Sequence, residues 1–301
     1  MNQEKTISKK ELINFYEPLL KGYSESYKTK IKPLDKLTEA IFKDTNEVTT
    51  EQLNELFSSS SDIYTKSFIE RLIAVREIIY CRDHNLDLKI LDVWRLISNS
   101  IKVIPSEFTI SSIGSQGFLS IPLYKKDNTL ETFDFIRLHI WDDSLDKYMN
   151  LKKCEDFSIH SHTFFAKSWI ITGQIINNRY EFELNSSNSN HSFFDVVYND
   201  SLNQVNQHSS KAVNKGINTE LIKVSEEVHY EKGYYEVKPS KLHKSGHKNS
   251  PLCSATFFSF TGKDGLGKSF VIGPKEITES EINRKMNIDP IYLLEKIDNQ
   301  L

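Results

Sequence analysis

Several features are missing from this 301-residue chain, and each absence narrows its class. It has only three cysteines, Cys81, Cys154 and Cys253. They are odd in number and far apart, which excludes a disulfide framework and fits reduced thiols in a cytoplasmic protein. Neither sign of charge dominates: 38 Lys and Arg stand against 41 Asp and Glu, for a formal net charge of −3. Nothing in that balance points to nucleic acid or to an anionic membrane surface. No apolar run approaches the roughly 18 residues needed to span a bilayer. Met1 to Lys10 is polar and lacks the apolar centre of a signal peptide. No internal repeat is present. What the chain does have is a near-average hydrophobic fraction of 38% and many aromatics, led by 18 Phe and 13 Tyr. A packed core is therefore within reach, and the aromatic content favours β structure.

The chain divides by pattern. Residues 1–104 read as a helical region. Leu12, Ile13, Phe15, Tyr16, Leu19 and Leu20 recur at helical spacing, with Pro18 a boundary or kink. Leu34, Leu37, Ala40 and Ile41 follow Pro33, and Thr50-Glu51-Gln52-Leu53 offers a helix start. The clearest helix is Ser67 to Tyr80, with an apolar stripe of Phe68, Ile69, Leu72, Ile73, Val75 and Ile79. A last short one carries Leu91, Val93, Trp94, Leu96 and Ile97. A helical bundle packed on the remainder of the chain is the expectation; without a basic stripe, these helices do not read as DNA-binding. Near Pro105 the pattern changes to short β-prone segments separated by Gly, Asn, Asp and Ser. Residues 105–275 therefore read as an all-β barrel or sandwich. The Asn- and Ser-rich stretch near 185–216 reads as an insertion containing a hairpin. Residues 276–301, with Ile282, Met286, Ile291, Leu294 and Ile297, read as a helical tail.

Of nine histidines, two stand out. His160 and His162 lie two apart in the β-prone run Phe157-Ser158-Ile159-His160-Ser161-His162. A strand has a side-chain period of two, so both rings are expected on one face, where two imidazoles can hold a transition metal. An open site needs a third ligand. The best candidate is His243, where the chain re-enters a strand after Pro239; His247, following Gly246, is the runner-up. His84, His191 and His208 lie in polar stretches and are assigned no role. His139, on the strand Arg137-Leu138-His139-Ile140-Trp141, reads as a core or cavity histidine.

With the His-x-His pair, Gly173 at a strand turn and His243 after a proline turn, the chain resembles the cupin superfamily. That resemblance implies an α+β protein in which the helical region precedes a cupin-like antiparallel β-barrel, a double-stranded β-helix. It also implies His160, His162 and His243 as metal ligands. The family's glutamate position falls on Lys167, which as a protonated amine is no ligand. A three-histidine set is similar to the thiol dioxygenase branch, typified by cysteine dioxygenase. This implies Fe(II), with Zn, Mn and Ni as alternatives, and dioxygenase chemistry on a small polar substrate, anionic or thiol-bearing. In that branch an arginine on an earlier hairpin holds the substrate carboxylate. Lys125 or Lys126 falls nearest, with Arg137 as the alternative. Lys126, Arg137 and His139 make up the expected substrate-binding set. Where the branch carries a tuning His and Tyr, this chain has Thr256 and Phe258.

Gly262-Lys263-Asp264-Gly265-Leu266-Gly267-Lys268-Ser269 matches the phosphate-loop pattern, but a strand-like Phe270-Val271-Ile272 comes next where a helix is required. It reads as a hairpin loop. Lys238, Lys241, Lys244 and Lys248 surround His243 and read either as a solvated loop or as an electropositive rim. Taken together, these residues read as a metal-dependent oxygenase with a small-molecule partner, a homodimer being allowed. A non-catalytic sensor that signals through the helices is the alternative, and a zinc isomerase or hydrolase a weaker third.

Overall fold

The computed structural model describes residues 6–18, 33–114, 116–187, 189–198, 208–247, 252–283, 285–286 and 288–301. Strand β1 (Thr6–Ser8) pairs antiparallel with β2 (Glu47–Thr49) at the edge of the helical region. Helix α1 covers residues 12–18, and α2 is Leu34–Phe42. Helix α3 (Thr50–Ser59) starts with a capping box. The Gln52 amide donates to Thr49 Oγ1 at 3.2 Å, and the Thr49 amide donates to Gln52 Oε1 at 2.9 Å. Helix α4 runs Ile63–Asp83, longer than its apolar stripe suggested, because Asp62 caps it by accepting from the Thr65 amide at 2.9 Å. Helix α5 is Ile90–Lys102. No helix among the described residues is long and apolar enough to cross a membrane.

The strands come next: β3 (Ser112–Ile113), β4 (Leu119–Lys126), β5 (Asp134–Trp141), then after helix α6 (Leu151–Asp156) β6 (Ile159–His160), β7 (Phe164–Thr172) and β8 (Gln174–Leu184). After them run β9 (His191–Tyr198), β10 (His208–Tyr230), β11 (Tyr234–Val237), β12 (Leu242–His247), β13 (Ser254–Leu266) and β14 (Phe270–Pro274). The chain closes with β15 (Glu279–Asn283), β16 (Lys285–Met286) and helix α7 (Ile291–Asp298). They form two antiparallel seven-stranded sheets. The inner sheet has the order β11-β7-β13-β5-β4-β3-β16, and the outer sheet β15-β10-β8-β12-β6-β14-β9. The protein is α+β. Among the described residues no strand pairing joins the two sheets into one closed barrel.

Strand alternation explains the layering. On β5, Ile136, Leu138 and Ile140 join the large core shared with the helices, while Phe135 and Trp141 belong to a second core. On β13, Ala255 and Phe257 face the helices, and Phe258 and Phe260 face the other way. The inner sheet is thus covered on both sides, which is why β5 is buried along its whole length. Arg82 at the end of α4 ties the layers together. Its guanidinium donates to both Asp134 carboxylate oxygens at 2.7 and 2.8 Å and to Ser259 Oγ at 2.7 Å.

Two stretches are shaped by sheet pairing, and the second differs from expectation. The Asn- and Ser-rich segment supplies β9 and the start of β10, which pair with each other, while β9 also pairs with β14. The tail is not all helix. Its Glu279–Asn283 stretch pairs with the start of β10, and Lys285–Met286 pairs with β3, before α7 begins. Backbone pairing at sheet edges overrode a sparse apolar pattern that suits a strand as readily as a helix.

Glu70 on α4 is a buried carboxyl, 7% exposed. Burial pushes its pKa up to about 7, against the pull of a hydrogen bond with Asn99 and the charge of Lys66. A carboxyl raised in the folded state contributes stability below its unfolded pKa, and that contribution is lost as pH rises towards 7. The thermal midpoint should therefore fall between about pH 4.5 and 7.5 through this group, by the equivalent of about 1–3 kcal/mol. In Glu70→Gln that part of the slope should vanish, which melting curves across the pH series would show. An unchanged slope would contradict the assignment.

Candidate metal centre

His160 sits at the end of the two-residue strand β6, held on both sides: it pairs with His243 on β12 and with Val271 on β14. Directly paired residues in adjacent strands project to the same face, so His160 and His243 meet by register alone. His162 lies two residues on, just past the strand. Its carbonyl accepts from the Ser240 amide at 2.9 Å, and the preceding Ser161 amide donates to Phe270 O at 2.9 Å. These bonds keep the chain extended, and His162 falls on the same side as His160. The ring centroids are 4.6 Å (160–162), 4.7 Å (160–243) and 4.9 Å (162–243) apart. One ring nitrogen from each lies within 4.8 Å of the others.

The outward nitrogens are already engaged. His160 Nδ1 is 2.8 Å from the Ser158 carbonyl, and His243 Nδ1 is 3.0 Å from Asn177 Oδ1. A backbone carbonyl only accepts, so His160 carries its proton on Nδ1 and presents an Nε2 lone pair; Asn177 Oδ1 favours the same form of His243, whose Nδ1 also lies 3.2 Å from Ser245 Oγ. His162 Nε2 and His243 Nε2 approach to 2.9 Å. Burial lowers all three pKa values. For His162 and His243 they fall well below the ordinary histidine range, lowered further by neighbouring rings and by Arg137 and Arg179 respectively. The rings are therefore neutral at neutral pH, as metal ligation requires. Two nitrogens each about 2.0–2.1 Å from one ion at right angles stand about 2.9 Å apart, so the His162–His243 spacing fits a shared ion. The donor set suits a divalent transition metal.

The cluster opens on a cavity of about 140 Å³ between the two sheets. Its wall includes Arg137, His139 and Trp141 from β5 and Phe258 and Phe260 from β13, and among the described residues no carboxylate lines it. His139 lies between Phe118 and Phe258, at ring distances of 4.1 and 4.8 Å. Arg137 lies over the Phe135 ring at 3.9 Å. The Trp141 indole N–H is buried with no acceptor among the described residues. Arg137 and His139 thus lie on the cavity wall.

Lys126 does not. It ends β4 opposite Asp134 and is absent from the wall, because the β4 bulge after Pro122 changes the strand's phase. Lys125 pairs instead with Asp127 at 2.7 Å. Lys167, at the position where the resemblance implies a glutamate, turns away from the histidines. It pairs with Glu236 at 3.1 Å and sits over the Tyr234 ring at 4.0 Å. His247 stands apart with Asp143 at 3.3 Å. Lys244 pairs with Glu155 at 2.6 Å, and Lys248 lies outside the described residues. No helix starts at Lys268. Its amide donates to Ser240 Oγ at 2.7 Å and β14 begins two residues later. Gly267 is needed for close packing, since a Cβ there would collide with Ser240 Oγ. Gly173 is needed twice over: its φ is +76°, and a Cβ would lie 2.6 Å from Cys253 O. It turns the chain from the inner sheet to the outer.

Sequence reasoning missed Asn177, Glu227 and Arg179. The signal was polar residues at positions 177 and 179, in phase with Ile175, on an inward strand face.

No family model matches the chain, and no curated protein matches it. Among solved structures, one described as "Crystal Structure of FeII HppE" aligns over 83% of this chain and 99% of that one, at 10% identity and a TM-score of 0.28. An overlap of that size carries no argument about fold or function.

Replacing His160, His162 or His243 singly by Ala should reduce bound metal from about one ion per chain to near none after dialysis, with the far-ultraviolet spectrum little changed. Elemental analysis beside circular dichroism checks this. Full metal content in all three variants would rule the cluster out as the binding site.

Proposed function

We propose that this chain is a cupin-type, three-histidine non-haem iron oxygenase, a dioxygenase of a small anionic or thiol-bearing substrate. The carrying observation is the convergence of three neutral imidazoles, two with their Nδ1 protons held by acceptors, on one wall of a cavity. When bound, Fe(II) would supply open positions for substrate and dioxygen. Three neutral rings leave the ion its full charge, and Arg137 adds another positive charge in a cavity that no carboxylate lines among the described residues. That balance favours an anionic substrate. Arg137 would hold its charged end, the Trp141 indole N–H would donate to an acceptor on it, and Phe118, Phe258 and Phe260 would exclude water from its apolar part. The two facing antiparallel sheets support the cupin-like reading of the fold. The reduced thiols of Cys81, Cys154 and Cys253 support a reducing, cytoplasmic setting.

A second reading is a ligand sensor without turnover. It is favoured by Thr256 and Phe258, which stand where the thiol dioxygenase branch has a tuning His and Tyr, and by the core that the inner sheet shares with the helices. Oxygen consumption separates the two. The Fe(II)-loaded protein should consume dioxygen only with its substrate, found by screening small carboxylates and thiols. Arg137→Leu should raise KM at least about tenfold for an anionic substrate, a loss of about 1.4 kcal/mol of binding. A ligand that raises the melting temperature without oxygen uptake would instead establish the sensor.

A further inference from the structure

Behind His243 the outer sheet carries a polar row that the ligand set alone does not account for. Asn177 on β8 lies directly opposite Glu227 on β10 and directly opposite Ser245 on β12. In the adjacent row Arg179 lies opposite His243. Register therefore sets these five side chains together on one face. Asn177 is fully buried, at 0% exposure. Its Oδ1 faces His243 Nδ1 at 3.0 Å and accepts from Ser245 Oγ at 3.0 Å, while its Nδ2 donates to Glu227 Oε2 at 3.1 Å. Arg179 clamps the Glu227 carboxylate through Nε and Nη2 at 3.0–3.1 Å and donates to Glu236 O at 2.7 Å.

We propose that Asn177 and Glu227 are positioning residues that keep the His243 proton on Nδ1 and its Nε2 lone pair turned to the cavity; this rests on reading His243 as a metal ligand. An amide can face its neighbour with either its oxygen or its nitrogen. If the Asn177 amide turned over, its NH₂ would meet the ring and its oxygen would meet the Glu227 carboxylate. The first contact would place the imidazole proton on Nε2, where it blocks ligation. The second would set two acceptors against each other. Glu227, fixed by Arg179, therefore decides which end of Asn177 meets the ring. The effect also settles the contact between His162 and His243. With the His243 proton on Nδ1, its Nε2 accepts, and His162 donates across the 2.9 Å gap in the metal-free protein.

Long-range ¹⁵N–¹H NMR of the metal-free full chain, labelled at histidine, reads the tautomer directly. The His243 signals are identified by their loss in His243→Gln. The wild type should show the Nδ1–H form. Asn177→Leu and Glu227→Leu should move His243 towards the Nε2–H form and weaken Co(II) or Fe(II) binding about 10–100-fold. Glu227→Gln, which still offers an oxygen to Asn177 Nδ2, should restore the wild-type tautomer. If Asn177→Leu fails to fold, Glu227→Leu carries the test, because the Glu227 side chain is 34% exposed. A wild-type Nε2–H ring, or a Glu227→Leu protein with unchanged tautomer and affinity, overturns the proposal. A wild type that binds no metal while the variants still shift the tautomer refutes the metal reading and supports the positioning role.

Discussion

The constraint on which the site depends is the crowding of three imidazoles, His160 and His243 buried and His162 half-buried, within 4.8 Å of one another. Desolvation disfavours protonation of each ring, and each ring disfavours it in the next. Each ring therefore stays neutral and keeps a single proton, and His160 and His243 turn theirs outward. His160 does so through Ser158 O, and His243 through Asn177. The inward lone pairs must then meet a shared proton or a cation. In the metal-free protein only the proton that His162 donates to His243 Nε2 at 2.9 Å serves the converging nitrogens, whereas a cation would serve all three.

The rest of the architecture holds that arrangement rigid. The outer sheet sets the His160–His243 pair by register, and the inner sheet supplies the opposite wall of the cavity. The helical region and the inner sheet share one core, so the wall cannot shift independently of the helices. Helix α7 locks the end of β5 just past Trp141. Burial alone would raise the Asp142 pKa, but hydrogen bonds from Cys253, Lys296 and Ser144 hold it well below the usual carboxylate range. Burial and Asp142 together push the Cys253 thiol up to about 12, which makes it a poor nucleophile and a structural donor. Asp298 on the same helix accepts from the Trp94 indole at 2.8 Å, joining α7 to α5.

Much of this was legible in the sequence, and the limits stem from what sequence encodes. The period of two placed His160 and His162 on one side, although only His160 lies in a strand. His243 was accessible because a proline turn and a β-prone run framed it. The helical stripe from Phe68 to Ile79 was plain, but its two buried sides hid how long α4 is. Lys126 was misplaced because a bulge after Pro122 shifts phase, and bulges leave no mark in residue type. Asn177 and Glu227 are 50 residues apart and meet only through β8–β10 pairing, which no local pattern announces. The strands of the tail were missed for the same reason.

The most direct measurement is anomalous diffraction at the iron edge from crystals grown with Fe(II) under anaerobic conditions. One strong peak is expected about 2.0–2.2 Å from Nε2 of His160, His162 and His243 together. A map with no peak among these nitrogens, in crystals whose three rings keep the same positions, would contradict a shared metal ion as the reason the histidines converge.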